Sequence, residues 1–188
     1  MNIFLVRHGE TSANLEESAK PKLTDKGRLQ IIELSKKLSE VKLDLIYCSD
    51  LERAIETAKA ISVYQKGVEF VKTEDLREIY RLIVGGDEKL NTRPNRFDED
   101  YNRPKKFWNN IKLLEADNVC FVCHGNIIKF FLSESLEVNP KVFRKVDINT
   151  ASISLVRFID KEFVVSYINN YSYLPKKLIS KDTSYAED

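Results

Sequence analysis

The run "IFLV" at residues 3–6 has no polar alternation, so a strand built from it must be covered on both faces. No other feature limits the fold as tightly. Further strand-length segments follow at "LDLIYCS" (43–49), "VEFVKT" (68–73) and "NVCFVCH" (118–124). Helical spacing separates them. Residues 25–41 place Leu29, Ile32, Leu34, Leu38 and Val41 at near-helical intervals behind Thr24 as N-cap. Ser49 is expected to cap a helix over 50–64, with Asp50 and Glu52 in a first turn that favours acids. Residues 105–116 and 125–136 supply two more helices. Strands alternating with helices predict an α/β fold, a three-layer sandwich whose mostly parallel central sheet carries helices on both faces. "SISLVRFI" and "EFVVSYI", separated by Asp160 and Lys161, predict a terminal hairpin.

At 188 residues the chain suits one packed domain, expected over residues 1–179 with a loose tail at 180–188. The polar stretch 81–104, with Gly85, Gly86, Pro94 and Pro104, reads as a surface insertion near the candidate site described below. A formal net charge of +1 gives no reason to expect nucleic acid or an anionic membrane surface as partner. The longest uncharged apolar stretch, Val119 to Ile128, is too short to span a bilayer. Three cysteines without a secretory leader predict a reducing, cytoplasmic setting.

Why does the first apolar run stop at Arg7 and His8? The chain has only two histidines, and both are written the same way. "IFLVRHG" puts His8 after a buried strand and before Gly9; "CFVCHG" does so for His124 and Gly125. Ligands of an open parallel sheet bind outside the carboxyl ends of its strands, so both imidazoles are expected on the binding edge. Arg7 adjoins one of them. Arg53, in "SDLERAIETA", lies one turn into a helix that begins where a strand ends. A guanidinium fork beside a helix N-terminus suits a phosphate dianion.

"RHGET" followed by Asn14, then "SDLERAIETA", "LREI" and "HGN", in that order, resembles the histidine phosphatase superfamily, and within it the short-cap phosphoglycerate-mutase-like phosphatases. The resemblance implies a phosphoglycerate-mutase-like fold and a phosphohistidine intermediate on His8. Arg7, Arg53 and His124 would hold the phosphoryl oxygens, with Thr11, Asn14 and Gly125 also at the phosphate. Glu78 would be the proton donor, although Glu74 and Asp75 lie close enough to compete. No metal and no cofactor are implied. The chemistry agrees, because phosphoryl transfer needs positioning and charge neutralisation, which two arginines and an imidazole supply. The attacking imidazole must be neutral, and its second nitrogen needs a fixed acceptor, expected to be a backbone carbonyl.

Other readings have less support in the residues. "CFVCH" also spells the c-type haem attachment pattern, but Cys120 and Cys123 would face opposite sides of a strand. Neither a P-loop nor a dinucleotide fingerprint occurs. "YNRPKKFWNN" could offer stacking for single-stranded nucleic acid, yet Asp98, Glu99 and Asp100 beside it favour a packed helix start. Mutases of the resembled family carry a longer segment between the acid and the second histidine than the 45 residues separating Glu78 and His124, so the resemblance implies a short cap, an open site and hydrolysis over a mutase reaction. The expected partner is a phosphorylated small molecule or a phosphoprotein. "HGNIIKFF" is similar to the serine/threonine phosphatase branch of the family. A non-catalytic phosphate-binding module is the alternative from another class.

Overall fold

The computed structural model describes residues 1–12, 21–79 and 98–180. Six strands form one sheet: β1 (Asn2–Arg7), β2 (Leu45–Ser49), β3 (Phe70–Thr73), β4 (Asn118–Cys123), β5 (Ile153–Ile159) and β6 (Glu162–Asn170). Their order is β3-β2-β4-β1-β5-β6. β3, β2, β4 and β1 run parallel, and the β5–β6 hairpin adds antiparallel strands at one edge. The hairpin turns at Asp160 and Lys161, both with positive φ (51° and 70°). Such two-residue turns match the right-handed twist of the flanking strands.

Helices α1 (Asp25–Leu38) and α2 (Glu52–Tyr64) cover one face of the sheet, and α3 (Arg103–Asn110) and α4 (Gly125–Ser135) cover the other. Alternate strand residues divide between the two cores. Ile3, Leu5, Val119 and Phe121 pack with Trp108 of α3 and Phe130 and Phe131 of α4. Phe4, Val6 and Val122 pack with Leu34 of α1 and Ala54, Ala58 and Ile61 of α2. The two cores also separate Cys123 from Cys120, as the odd step between them requires. All three cysteines are free and buried, and burial pushes the Cys48 thiol up to about 12.

Several boundaries differ from the expectations, each for a local reason. Thr24 caps α1, its side chain accepting the Gly27 N–H, but the helix ends at Leu38 and buries a different stripe. Leu29 is half exposed and Ile32 lies outward, while Gln30, Ile31, Leu34 and Ser35 face inward. Inward polar residues are tolerated because they are bonded: Gln30 to backbone groups of Glu10 and Leu178, and Ser35 to the Ile31 carbonyl. Ser49 does not cap α2. Leu51 is the N-cap, and the Ser49 hydroxyl serves another residue.

The expected insertion reaches too far. Residues 80–97 lie outside the described residues, but a π-helical turn (Asp98–Asn102) leads straight into α3, and Asp100 and Pro104 are buried. Proline without an N–H fits the first turn of a helix, where that hydrogen has no intrahelical acceptor. Ser180, expected to open the loose tail, is bonded into the domain. Ser180 donates to Glu10, accepts from Gln30 and contacts Thr150, and residues 181–188 lie outside the described set. No described helix is long and apolar enough to cross a membrane.

Candidate active site

Strand register builds the site. β1 and β4 lie side by side with Arg7 opposite Cys123, and the next residue of each strand is a histidine. The rings of His8 and His124 therefore meet at the carboxyl edge, their centroids 5.0 Å apart and their planes at 64°. Both side chains are buried.

His8 is fixed on every side. Nδ1 lies 2.7 Å from its own neighbour's carbonyl, Gly9 O, and donates its hydrogen there. Nε2 then keeps its lone pair and accepts from Nε of Arg53 at 3.1 Å. The His8 backbone N–H donates to Cys123 O, and the Ala151 N–H donates to the carbonyls of both Arg7 and His8. Thr57, one turn after Arg53 on α2, accepts the Gly9 N–H and donates to the Arg53 carbonyl. Burial holds the His8 pKa well below the ordinary 6.5, and Arg53 and Arg7 push it further down; the Gly9 carbonyl opposes them. The ring is neutral.

Gly9 and Gly27 allow this loop to lie against α1. A Cβ on Gly27 would come within 2.1 Å of the Glu10 carbonyl oxygen, and one on Gly9 within 2.7 Å of Gly27 O. Arg7 donates to the Ile148 carbonyl, and its guanidinium lies against Gly125, the first residue of α4.

His124 is neutral as well. Burial is the main cause of its lowered pKa, followed by His8, Arg53 and Arg7. Its Nε2 meets Oγ of Ser49 at the end of β2, while Nδ1 is buried with no hydrogen-bond partner among the described residues.

Glu78 lies on the N-terminus of α4. Its carboxylate accepts N–H groups from Asn126 (3.1 Å), Ile127 (3.2 Å) and Ile79 (3.1 Å). Burial raises its pKa above the ordinary 4.5; the N–H groups of Asn126 and Ile127 and the charge of Arg7 oppose that shift without cancelling it. The competing acids are held elsewhere. Glu74 is mostly exposed beside Arg77, and Asp75 accepts the Thr73 hydroxyl.

Arg7, His8, Arg53, Glu78, His124 and Gly125 thus share one edge of the sheet. Thr11 sits farther along the loop in an isolated bridge with Leu23, and Asn14 lies outside the described residues. Sequence reasoning missed Ser49 and Thr57. Both lie inside "SDLERAIETA", and the available signal was a hydroxyl at a strand end and another four residues beyond Arg53.

A sheet edge carrying two buried neutral imidazoles and two guanidiniums has the nucleophile and the positive charge that histidine-based phosphoryl transfer needs. More particularly, the chain belongs to the histidine phosphatase superfamily (branch 1), whose family model matches residues 3–110 and 87–171. It is 28% identical over 172 residues to "Probable phosphatase C1687.21" of Schizosaccharomyces pombe, covering 82% of each chain. To the mitochondrial serine/threonine-protein phosphatase Pgam5 of Drosophila mojavensis it is 27% identical over 94% of its length, but spans 65% of that protein. In fold it is similar to the alpha-ribazole phosphatase of Shigella flexneri, with a TM-score of 0.72 at 20% identity over 90% of this chain and 96% of that one.

Proposed function

We propose that the chain hydrolyses phosphomonoesters by a two-step mechanism on His8. Nε2 attacks phosphorus, forming the N–P bond as the ester P–O bond breaks, and protonated Glu78 passes its hydrogen to the departing oxygen. Water then attacks the phosphohistidine while the Glu78 carboxylate takes its proton. The N–P bond breaks, phosphate leaves, and His8 is again neutral. Arg7, Arg53 and the Nδ1–H of His124 hold the equatorial oxygens, where charge develops. Thr11, Asn14 and Gly125 remain assigned to the phosphate on the strength of the motif.

The observation that carries this reading is the Nδ1–H hydrogen bond of His8 to Gly9 O, which fixes the tautomer with a nucleophilic Nε2. The substrate class is a phosphorylated small molecule or a phosphoprotein. It is supported by relatives named as a phosphatase and as a serine/threonine-protein phosphatase. Phosphoprotein hydrolysis specifically is the narrower form of the proposal, supported by alignment with Pgam5 over nearly the whole chain. A cytoplasmic setting belongs to the same reading, supported by three unpaired buried thiols.

Rapid quenching under non-acidic conditions with a labelled phosphomonoester tests the mechanism. Label should appear on His8 and be absent from His8→Ala. Stoichiometric label on a serine or cysteine would overturn it.

A further inference from the structure

Glu78 does its proposed work only if its backbone is held, and the holding group comes from a distant part of the chain. Residues 74–78 form a 3₁₀ turn (Glu74–Leu76) and a short extended step, too short to be rigid alone. Arg103, the first residue of α3, lies against this turn. Its Nη1 donates to the carbonyls of Glu74 and Asp75, both at 2.6 Å, and its Nη2 donates to the carbonyl of Arg77 at 3.1 Å. One guanidinium thus binds three carbonyls within the four residues that precede Glu78.

On the other side of the same turn, Arg77 makes a bidentate pair with Asp50 at the β2–α2 junction. Leu76 and Ile79 are fully buried and anchor the segment in the core. Without Arg103 these carbonyls lose a planar fork that no shorter or rounder cation reproduces.

We propose that Arg103 is a positioning residue for Glu78, clamping the 74–77 backbone so that the carboxyl stays on the N-terminus of α4 and aimed at the leaving oxygen. Arg103 touches carbonyls and not the carboxyl itself, so it acts through Glu78. This inference rests on the reading of Glu78 as the proton donor.

A double-mutant cycle on the phosphorylation step tests it, read in single turnovers with an alkyl phosphate and with p-nitrophenyl phosphate. Glu78→Gln comes first. A selective loss on the alkyl ester establishes the acid, and equal or no losses overturn both the reading and the inference. Arg103→Ala should then lose on the order of 10²-fold on the alkyl ester, the cost of a displacement of about 1 Å. On p-nitrophenyl phosphate, which needs little protonation, the loss should stay within about threefold. In the Glu78→Gln background, Arg103→Ala should cost almost nothing more, because the group it positions is already gone.

Full additivity, or equal losses on both esters with Glu78→Gln selective, would overturn the role of Arg103 while leaving Glu78 intact. Should Arg103→Ala fail to fold, Arg103→Lys serves in its place. A single ammonium cannot reproduce two nitrogens set apart in one plane, so the same selective loss is expected at a smaller size, and its absence in a folded protein would be equally decisive.

Discussion

Oγ of Ser49 lies 2.9 Å from Nε2 of His124, the only hydrogen-bond partner of that ring among the described residues. The same oxygen accepts the Leu51 N–H at 3.3 Å and keeps a hydrogen of its own. The proposed mechanism asks that hydrogen to go to Nε2, which puts the His124 proton on Nδ1 as a donor for a phosphoryl oxygen. Ser49→Ala should release the tautomer. A single buried hydrogen bond is worth about 0.5–1.5 kcal/mol, so kcat should fall up to about tenfold. Nitrogen NMR of the histidine rings checks the cause: Nδ1–H in the wild type and a mixture in the variant. An Nε2–H tautomer in the wild type would defeat the assignment.

Gly27 tests the packing beneath the nucleophile. Replacing glycine by alanine inside an exposed helix stabilises it by about 0.8–1.0 kcal/mol. At Gly27 the added methyl would sit 2.1 Å from a backbone oxygen of Glu10, which cannot swing aside as a side chain would. Overpacking of that kind costs about 1–3 kcal/mol, so the steric term wins and Gly27→Ala should destabilise the protein. Urea unfolding gives the sign. Activity should fall as well, since Glu10 follows Gly9 directly and moves with the His8 loop.

Chelation should leave turnover unchanged. Two guanidiniums and two neutral imidazoles line the site, and no group of three or more metal-ligating side chains occurs among the described residues. Charge neutralisation by Arg7 and Arg53 does what a divalent ion does elsewhere. Activity that vanished with chelator and returned with one specific divalent ion would show that another donor set is in use.

Much of this was legible in the sequence because strand period and strand end coincide with chemistry. An apolar run followed by His-Gly, occurring twice, placed His8 and His124 at one edge before any contact was known. Glu78 was harder to read, since only the short "LREI" match separates it from Glu74 and Asp75 in sequence, whereas in the structure the α4 backbone N–H groups do so. The stripe of α1 was misread because hydropathy cannot foresee that Gln30 will be buried by bonding two backbone segments from elsewhere in the chain. Arg103 was invisible for the same reason. Its partners are carbonyls, which every residue has and no sequence pattern marks.

Stability should fall as the pH drops below about 6.5, the ordinary histidine value. Both His8 and His124 are held well below that value, so in the window beneath it the unfolded chain binds protons that the folded chain refuses. By linkage, stability rises with pH wherever the unfolded state binds more protons, and is lost going the other way. Glu78 has the opposite sign in its own window, because its raised pKa makes the folded state the better proton binder just above 4.5. The thermal midpoint followed from pH 7.5 to 5.5 should decline in the wild type. In a His8→Asn, His124→Asn double variant the decline should be shallower, and an unchanged slope would mean the histidines do not supply it.

The pH dependence of the chemical step separates nucleophile from acid. Phosphate esters themselves titrate near pH 6, so the measurement is single-turnover phosphorylation at saturating substrate, where that ionisation weighs least. Burial, Arg53 and Arg7 start the His8 pKa well below its ordinary value, a margin that offsets the upward pull of a bound phosphate anion. The rate should therefore hold on the acid side, with no limb at the usual imidazole value. On the basic side Glu78 governs. Burial raises its pKa, and a bound phosphate anion would raise it further. With an alkyl phosphate the rate should fall as pH climbs through that raised value, because the deprotonated acid can no longer protonate an alkoxide. With p-nitrophenyl phosphate the profile should stay nearly flat. Glu78→Gln should lower the alkyl-ester rate by about 10²–10⁴-fold and remove its pH dependence on that side. A basic limb that persists in Glu78→Gln would assign the proton to another group.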